Sequence, residues 1–391
     1  MTARPFAALT EGESVSWRHT VEAAEVDAFV ALSGDDNPLH LDDAFARQHG
    51  FKSRVVHGML VASFLSRVLG TVLPGPGVLW LSQSMRFQQA VYVGETIEIT
   101  VTISHKSESL RTLVLETIVK TESGAVGLTG EAKVMMLQTV QTVEWDEMVA
   151  VVTGAGRGIG AAIAGAFGAR GARVVVNYRE RADAAEEVVA AIAAAGGEGF
   201  AVKADVATRE GATALADAAL ERFGRVDVLV NNATPSIDRM PFLELDWDDV
   251  DGYWRTYVQS AFTLTQAFVP GMTERGFGRI IHLLTTAIWG VPPTGTAGYV
   301  AGKSALWGLA KATAGELAPL GITVNAVSPS AVLTEQWDST PESRRRALGM
   351  RIPAQRLASP DEVAATVLYL AGNEAAYVTG ANFPVAGGEV M

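Results

Sequence analysis

The sequence predicts two domains of different fold classes, an α+β domain followed by an α/β doubly wound domain with a parallel sheet. Before about residue 140, one helical stretch at 57–69 precedes segments at 96–103, 112–119 and 126–137 in which apolar and polar residues alternate. Such alternation is typical of strands with one buried face. After residue 140, short apolar runs alternate with alanine-rich helical segments, as in a parallel sheet covered on both faces.

The apolar runs of the second half lie at 149–152, 173–176 and 226–230. The length of 391 residues also favours two domains, because one domain usually has about 100–200 residues. We therefore expect one domain over 1–140 and a second over 147–391, joined by a short polar segment.

The composition excludes several classes of protein. Hydrophobic residues make up 48% and charged residues 19% of the chain, which is typical of a globular protein. A net charge of -12 argues against a nucleic-acid partner, which normally needs a basic face. The absence of cysteine rules out disulfides and thiolate metal sites. No apolar run reaches about 18 residues. We expect a cytoplasmic protein with no membrane, nucleic-acid or metal partner.

The first catalytic motif, Ser-Gly-Asp-Asp-Asn-Pro-Leu-His, occupies residues 33–40. Asp35 can act as a base and His40 as its proton-carrying partner, while Pro38 stiffens the turn between them so that both can reach one water. Asn37 could orient the substrate carbonyl or the turn itself. The alternative is a turn that follows a helix and whose side chains only cap backbone groups.

Several segments around this motif share its resemblance to one protein family. Residues 29–46 and 56–60, together with 83–87 and 91–95, closely resemble the MaoC-like (R)-specific enoyl-CoA hydratases, which are hot-dog folds. The resemblance covers about residues 8–137. It implies that a water activated by the motif adds across, or leaves from, the bond between carbons 2 and 3 of an acyl thioester.

The resemblance also implies roles for individual residues. Asp35 and His40 would activate the water, and Ser66 falls where the family has a site serine. Gly58 would offer a backbone N–H to the thioester carbonyl at a helix N-terminus, where free N–H groups stabilise an enolate-like oxygen. For His57, a structural role in holding the loop is favoured over a catalytic one.

The second motif is a glycine-rich loop, Thr-Gly-Ala-Gly-Arg-Gly-Ile-Gly, at residues 153–160. It follows a predicted strand and precedes a predicted helix, so its backbone can approach a pyrophosphate at the positive helix end. A flexible turn is the alternative, and the elements described next argue against it. The predicted cofactor contacts in this loop are Gly154, Arg157, Gly158, Ile159 and Gly160.

Later elements complete a dinucleotide-binding pattern. Asp205 follows a strand, and residues 231–233 end the next one. Tyr299 and Lys303 are four residues apart and therefore share one helix face. We expect Lys303 to lower the pKa of Tyr299, so that this phenol protonates a ketone as hydride arrives.

This pattern resembles the short-chain dehydrogenases/reductases over about residues 147–391, including 324–329 and 377–380, and among them most closely the 3-oxoacyl reductases. The resemblance implies a Rossmann domain. Its further implied cofactor contacts are Asp205, Val206, Asn231, Ala233 and Thr334.

The preferred cofactor can be predicted from charge. Relatives that use NAD carry an acid at the end of the second strand, where this chain has Asn177. Arg157 and Arg179 can instead bind a 2'-phosphate, which favours NADPH. The alternative is two solvated arginines.

Four positions depart from the family pattern. Thr286 replaces the catalytic serine expected thirteen residues before the tyrosine, but it keeps a hydroxyl and remains a catalytic candidate. Tyr257 replaces the asparagine expected in the water-mediated proton path to the active-site lysine. Thr234 and Ser330 replace glycines beside the nicotinamide site.

Two hypotheses therefore remain open. In the preferred one, the second domain reduces a 3-oxoacyl thioester to an (R)-3-hydroxyacyl thioester and the first removes water from it to give the trans-2-enoyl thioester. In the other, only the hot-dog domain is catalytic and the reductase-like domain is a structural or nucleotide-binding assembly module. The thioester carrier is acyl-CoA or acyl carrier protein. Both resemblances imply a homo-oligomer.

Overall fold

In the computed structural model the chain forms two compact units, Met1–Thr139 and Val140–Met391. Residues 138–140, at the predicted end of the first domain, lie outside the described residues. The described residues are 4, 6–108, 110–137, 141–338 and 340–390.

The first unit contains a five-stranded antiparallel sheet in the order β1-β3-β4-β5-β2, packed against the helix α4. This arrangement confirms the predicted α+β hot-dog domain. Its elements are β1 (Ser14–Thr20), α1 (Ala23–Ser33), α2 (Pro38–Leu41), α3 (Asp43–Gln48), α4 (Gly58–Thr71), β2 (Val78–Phe87), β3 (Thr96–Ser107), β4 (Thr112–Thr121) and β5 (Val126–Met136).

Strand β3 shows why this sheet forms. Its residues are alternately buried and partly exposed, so that Ile97, Ile99, Val101 and Ile103 all point to one face. That face packs against the buried face of α4, which carries Leu60, Val61, Leu65, Val68 and Leu69. The mutual burial of sheet face and helix makes one core, and it fixes the N-terminus of α4 beside the loops of the first motif.

Periodicity alone did not predict β1 and β2, which are the two edge strands of this sheet. β2 contains an irregularity between Trp80 and Ser82 where it pairs with β5. Its Leu79, Leu81 and Phe87 remain exposed, so its apolar residues do not mark one buried face.

The second unit contains a seven-stranded parallel sheet in the order β12-β11-β10-β9-β6-β7-β8. Helices cover both faces, which confirms the doubly wound Rossmann domain. Its elements are β6 (Val149–Val152), α5 (Gly158–Gly168), β7 (Arg173–Tyr178), α6 (Ala182–Ala194), β8 (Glu198–Lys203), α7 (Arg209–Phe223), β9 (Val228–Asn231), α8 (Trp247–Trp254), a π-helical turn (Arg255–Gln259), α9 (Ser260–Arg275), β10 (Gly278–Leu283), α10 (Ala297–Leu317), β11 (Ile322–Pro329), α11 (Glu342–Gly349), α12 (Pro360–Ala371) and β12 (Asn382–Val385).

The strand order places the binding cleft of this unit. The direction of winding reverses between β6 and β9, so a crevice opens at the carboxyl ends of these two strands. Both strands are completely buried, which keeps this edge of the sheet rigid. Among the described residues, no helix is both long and apolar enough to cross a membrane.

Candidate active sites

The first unit has a cleft of about 650 Å³ beside the first motif. Asp35, His40, His57, Gly58 and Phe87 all line it. Helix α1 ends at Gly34, whose φ of 74° turns the chain sharply toward the motif. The motif therefore occupies the rim of a cleft that begins where α1 stops.

The ring of His40 is held in one tautomer. Its Nδ1 lies 2.6 Å from the carbonyl oxygen of Val55. Because a carbonyl oxygen only accepts, Nδ1 carries the hydrogen and donates it. Nε2 is then the nitrogen that can exchange a proton with a substrate or a water.

His57 holds the loop that carries Asp35. Its Nε2 donates to the backbone oxygen of Asp35 at 3.0 Å and lies 3.9 Å from the Asp35 Oδ2. The His57 side chain is 3% exposed, whereas that of Asp35 is 54% exposed and open to a ligand. This geometry supports a structural role for His57.

Asp35 and His40 can share one water. A side-chain oxygen of Asp35 and one ring nitrogen from each of His40 and His57 lie within 4.8 Å of one another. A water that makes two hydrogen bonds of about 2.8 Å spans such a distance. The pair can therefore add water to a substrate or remove it.

Gly58 is the first residue of α4, directly beside this pair. A Cβ at this position would lie 2.9 Å from Cε1 of Phe87, so the absence of a side chain lets the aromatic ring close the cleft wall. The first N–H groups of a helix lack intrahelical partners, so Gly58 can offer one to a carbonyl oxygen.

Two predicted substrate-binding residues do not line this cleft. The Oδ1 of Asn37 accepts the N–H of Leu39 at 3.1 Å and so caps α2, which is the alternative role weighed for it. Ser66 is exposed on α4, eight residues or about 12 Å along the helix from Gly58. Of the predicted catalytic and substrate-binding residues of this domain, Asp35, His40 and Gly58 line the cleft.

The second unit has a cleft of about 530 Å³ at the strand ends. Gly154, with a φ of 63°, packs so closely that a Cβ would lie 2.9 Å from the Ala233 Cα. A Cβ on Gly160 would overlap the Gly154 carbonyl oxygen. The loop can therefore contain only glycine at these points, and it leaves the N-terminus of α5 open to a pyrophosphate. These residues fit a dinucleotide.

Most predicted cofactor contacts line this cleft, and Asn231 is the exception. Asn231 is buried, and its Nδ2 lies 3.2 Å from Nδ1 of His282. Its neighbour Asn232 lines the cleft instead and donates to the backbone oxygen of Thr153 at 2.8 Å. The predicted contacts found in the lining are Gly154, Arg157, Gly158, Ile159, Gly160, Arg179, Asp205, Val206, Ala233 and Thr334.

The side chain of Asn177 points into the protein rather than toward a ribose. Its Oδ1 accepts the N–H of Gly154 at 3.1 Å, and its Nδ2 donates to the backbone oxygen of Ala204 at 3.0 Å. The side-chain amide of Asn177 therefore braces the glycine loop and cannot also discriminate between NADH and NADPH. The next two residues, Tyr178 and Arg179, also line the cleft.

Arg179 is not a free cation. Its Nη2 lies 2.7 Å from Oε1 of Glu180, and both side chains are mostly exposed. Arg157 and Arg181 are exposed cations in the same wall. A phosphate bound here would have to compete with Glu180 for Arg179.

Tyr299 and Lys303 line the cleft from α10, but their pKa values differ from the expectation. Burial raises the pKa of Tyr299 and outweighs a hydrogen bond with the Thr285 side chain, which lowers it. The Lys303 Nζ donates to the Leu283 carbonyl oxygen at 2.5 Å. Burial lowers the pKa of Lys303 itself to about 7.

The sequence analysis missed Thr285. Spacing from Tyr299 singles out Thr286, which begins a short 3₁₀ turn, is half-buried and does not line the cleft. The buried Thr285 is the threonine whose side chain hydrogen-bonds Tyr299. Two consecutive hydroxyl residues were the available signal, but only packing shows which one reaches the phenol.

Three of the four residues that depart from the family pattern lie in this cleft or directly behind it. Thr234 and Ser330 line the cleft. Tyr257 is buried behind it, with its hydroxyl oxygen 2.6 Å from Oγ1 of Thr234. The Lys303 Nζ lies 3.9 Å from the centroid of the Tyr257 ring.

Comparisons with known proteins agree with both halves of this description. Residues 154–389 match the family model described as enoyl-(acyl carrier protein) reductase, and residues 8–125 match the MaoC like domain. A 3-oxoacyl-[acyl-carrier-protein] reductase of Synechocystis sp. is 42% identical over 245 residues, which cover 62% of this chain and 97% of that protein. The Staphylococcus aureus 3-oxoacyl-[acyl-carrier-protein] reductase FabG is 38% identical over 62% of this chain and 98% of its own length.

Solved structures resemble the second unit. A short-chain dehydrogenase/reductase from Serratia marcescens is 38% identical, covers 63% of this chain and 99% of its own, and has a TM-score of 0.59. The L-sorbose reductase of Gluconobacter frateurii, solved with NADPH and L-sorbose, is 31% identical, with coverages of 62% and 97% and a TM-score of 0.59. The predicted fusion is confirmed. The chain belongs to the enoyl-(acyl carrier protein) reductase family within the short-chain dehydrogenases/reductases, and it carries a MaoC-like domain ahead of the reductase domain.

Proposed function

We propose that the chain is a bifunctional acyl-thioester enzyme. Its second domain reduces a 3-oxoacyl thioester to the (R)-3-hydroxyacyl thioester with NADPH, and its first domain interconverts that product with the trans-2-enoyl thioester. The observation that carries this proposal is that one chain holds Asp35 with His40 in one cleft and Tyr299 with Lys303 in another. The 3-oxoacyl reductases among its relatives support the assignment of the reductase substrate.

In the reductase cleft the protein supplies a proton and an orientation. NADPH, when bound, would supply the hydride. Tyr299 would protonate the carbonyl oxygen of the substrate, and burial keeps the phenol protonated until it is needed. Thr285 would orient that phenol, and Thr286 would hold the substrate carbonyl, a role that rests on its place thirteen residues before Tyr299, where the family has its serine, and not on the cleft lining, which does not include it.

In the hydratase cleft, Asp35 would remove a proton from the water that attacks carbon 3. His40, protonated on both ring nitrogens, would deliver the Nε2 proton to carbon 2, since its Nδ1 proton is bound to the carbonyl of Val55, and the proton taken up by Asp35 would then return to Nε2. The N–H of Gly58 would stabilise the negative charge that develops on the thioester oxygen. Dehydration is the reverse sequence and returns each proton to its starting point.

The preference for NADPH rests on positive charge in the cleft wall. Arg157, Arg179 and Arg181 line it where an adenine ribose would lie, and the position after Asn177 is a tyrosine rather than an acid. Guanidinium groups bind a 2'-phosphate through charge-assisted hydrogen bonds. Glu180 weakens this preference, because it is paired with Arg179.

We further propose a cytoplasmic homo-oligomer that acts on acyl groups carried by coenzyme A or by an acyl carrier protein. The absence of cysteine fits a reducing compartment. Oligomers are usual among short-chain dehydrogenases/reductases, and most soluble oligomers are symmetric.

A mass-resolved assay tests the proposed function. The protein is given a 3-oxoacyl thioester with and without NADPH, and the 3-hydroxyacyl and enoyl products are separated by mass. We expect both products with NADPH and neither without it. Hydration of an added enoyl thioester with no NADPH oxidation on any carrier or chain length would contradict the reductase half and leave a nucleotide-binding or structural module.

A further inference from the structure

The wall of the reductase cleft behind Lys303 is built from an unusual set of residues. Tyr257 lies in the π-helical turn Arg255–Gln259 between α8 and α9, and it is 2% exposed. A π-helical turn has one residue more than an α-helical turn and displaces its side chains, so such turns are frequent at functional sites. Here the displaced side chain is an aromatic ring that faces an ammonium group.

Three contacts fix this ring. The Lys303 Nζ lies 3.9 Å from the ring centroid, within the range of a cation–π interaction. The Tyr257 hydroxyl is 2.6 Å from the Thr234 Oγ1. A Cβ at Gly302 would lie 2.9 Å from the Tyr257 Cδ2, so the ring fits only because residue 302 has no side chain.

The departures from the family pattern are therefore interdependent. Tyr257 stands where an asparagine was expected and Thr234 where a glycine was expected, and the two share one hydrogen bond. Gly302, on the adjacent turn of α10, leaves the space that the ring occupies. A decayed site would not be expected to combine these two changes with the space at Gly302 in one packed arrangement.

We propose that Tyr257, fixed by Thr234 and admitted by Gly302, is a positioning residue that holds the Lys303 ammonium in place of the expected asparagine and its water. This inference rests on the proposed reductase function. The negative face of the ring offsets part of the cost of burying the charge. Lys303 also has only one carbonyl acceptor, Leu283, among the hydrogen bonds described.

The other titratable groups near Lys303 do not take over this role. Burial, and then the charge of Lys303, lowers the pKa of His282 to about 3, so this ring is neutral. Burial raises the pKa of Tyr299 and of Tyr253, so both phenols are neutral as well. Of these groups, the ring of Tyr257 is therefore the one that offsets part of the cost of burying the positive charge of Lys303.

The first test measures the ionisation of Lys303 directly. Protein labelled with ¹³C-lysine is titrated by NMR, and a Lys303→Met variant assigns the signal. Removing the ring in Tyr257→Leu should lower the Lys303 pKa by about one unit, because the ammonium loses its compensation. Tyr257→Phe keeps the ring face and should leave the pKa nearly unchanged. An equal pKa in the wild type and Tyr257→Leu would overturn the proposal, and so would equal shifts in both variants.

The matched control is Tyr369→Leu, which removes an exposed tyrosine outside the cleft. It should change neither the Lys303 pKa nor turnover. Because the NMR readout needs no turnover, an inactive wild-type reductase would contradict the proposed function without affecting this measurement. Circular dichroism on each variant confirms that it is folded.

The second test exploits the packing at Gly302. Gly302→Ala should displace the ring and lower kcat about tenfold, with the high-pH limb of kcat moving to lower pH. The loss is not a helix defect, because alanine favours a helix more than glycine does. In a Tyr257→Asn background the 2.9 Å contact with the ring is absent and the tightest contact is the one of 3.3 Å with the Tyr253 Cβ, so Gly302→Ala should there cause a much smaller loss. A loss of equal size in both backgrounds would contradict the proposed coupling.

Discussion

The imidazole rings of His40 and His57 lie face to face, with their centroids 3.7 Å apart and their planes 27° apart. Their hydrogen bonds differ, because His40 donates to the carbonyl of Val55 while His57 donates to the carbonyl of Asp35. One ring is therefore oriented toward the substrate, and the other supports the loop. This division of roles makes the hydratase site testable residue by residue.

Replacing either Asp35 or His40 with alanine should lower the hydration rate of a short enoyl-CoA by at least about 100-fold, the usual contribution of one acid–base group. NADPH binding should not change, because neither residue lines the reductase cleft. Absorbance at the enoyl thioester band follows the reaction. The control is His49→Ala, an exposed histidine that does not line the hydratase cleft. Near-normal hydration in both variants would refute the assignment.

The 2'-phosphate contacts are tested by removing charge from the cleft wall. Alanine at Arg157 and Arg179 should weaken NADPH binding by about 1.5–3 kcal/mol for each lost charged contact, with little effect on NADH. Fluorescence titration of both cofactors measures this difference. Arg209→Ala serves as the control, because Arg209 is exposed and outside the cleft. Equal losses for the two cofactors would show that these arginines do not bind the phosphate.

Removing the charge of Glu180 should strengthen NADPH binding, whereas removing the arginines should weaken it. Its carboxylate is paired with Arg179 at 2.7 Å and competes with a phosphate for the same guanidinium. Glu180→Gln should therefore tighten NADPH binding while leaving NADH nearly unaffected. The pair is exposed, so the gain should be small, up to about 1 kcal/mol. Weaker NADPH binding in this variant would mean that Glu180 orients Arg179 rather than competing for it.

Most of both folds could be predicted from the sequence because the spacing of its apolar residues follows which side chains are buried. The alternation at residues 96–103 became β3, and the apolar run at 149–152 became β6. The edge strands β1 and β2 escaped prediction because an edge strand need not bury one regular face. Their place depends on partners that are distant in the sequence.

The site residues divide in a similar way. Glycine spacing predicted Gly154 and Gly160 because backbone geometry alone requires them. The direction of a side chain is set by packing, so the sequence could not show that Asn177 braces the loop. It also could not show that Thr285 rather than Thr286 meets Tyr299. Burial reversed the predicted direction of the Tyr299 pKa shift for the same reason.

Substitutions of Thr285 and Thr286 should affect the pH dependence of the reductase reaction differently. The hydrogen bond from Thr285 lowers the pKa of Tyr299, so Thr285→Val should raise that pKa. Oxidation of a 3-hydroxyacyl thioester needs the deprotonated phenol. In Thr285→Val the rising limb of the pH–rate profile for this oxidation should therefore move to higher pH. Thr286→Val should lower kcat/KM without moving the limb, if Thr286 holds only the substrate carbonyl. A limb that moves in Thr286→Val and stays in Thr285→Val would reverse the two assignments.

Tyr299→Phe separates the two domains most directly. Hydride addition to a ketone leaves an alkoxide, and a buried cleft solvates that charge poorly unless a proton arrives. The variant should therefore lose NADPH oxidation with a 3-oxoacyl thioester. It should retain cofactor binding, measured by fluorescence, and hydration by Asp35 and His40, measured on an enoyl thioester. Because phenylalanine keeps the ring that packs against Tyr253 and Tyr257, thermal unfolding should change little. Undiminished NADPH oxidation in Tyr299→Phe would assign the proton to another donor, and loss of hydration in the same variant would show that the two sites do not act separately.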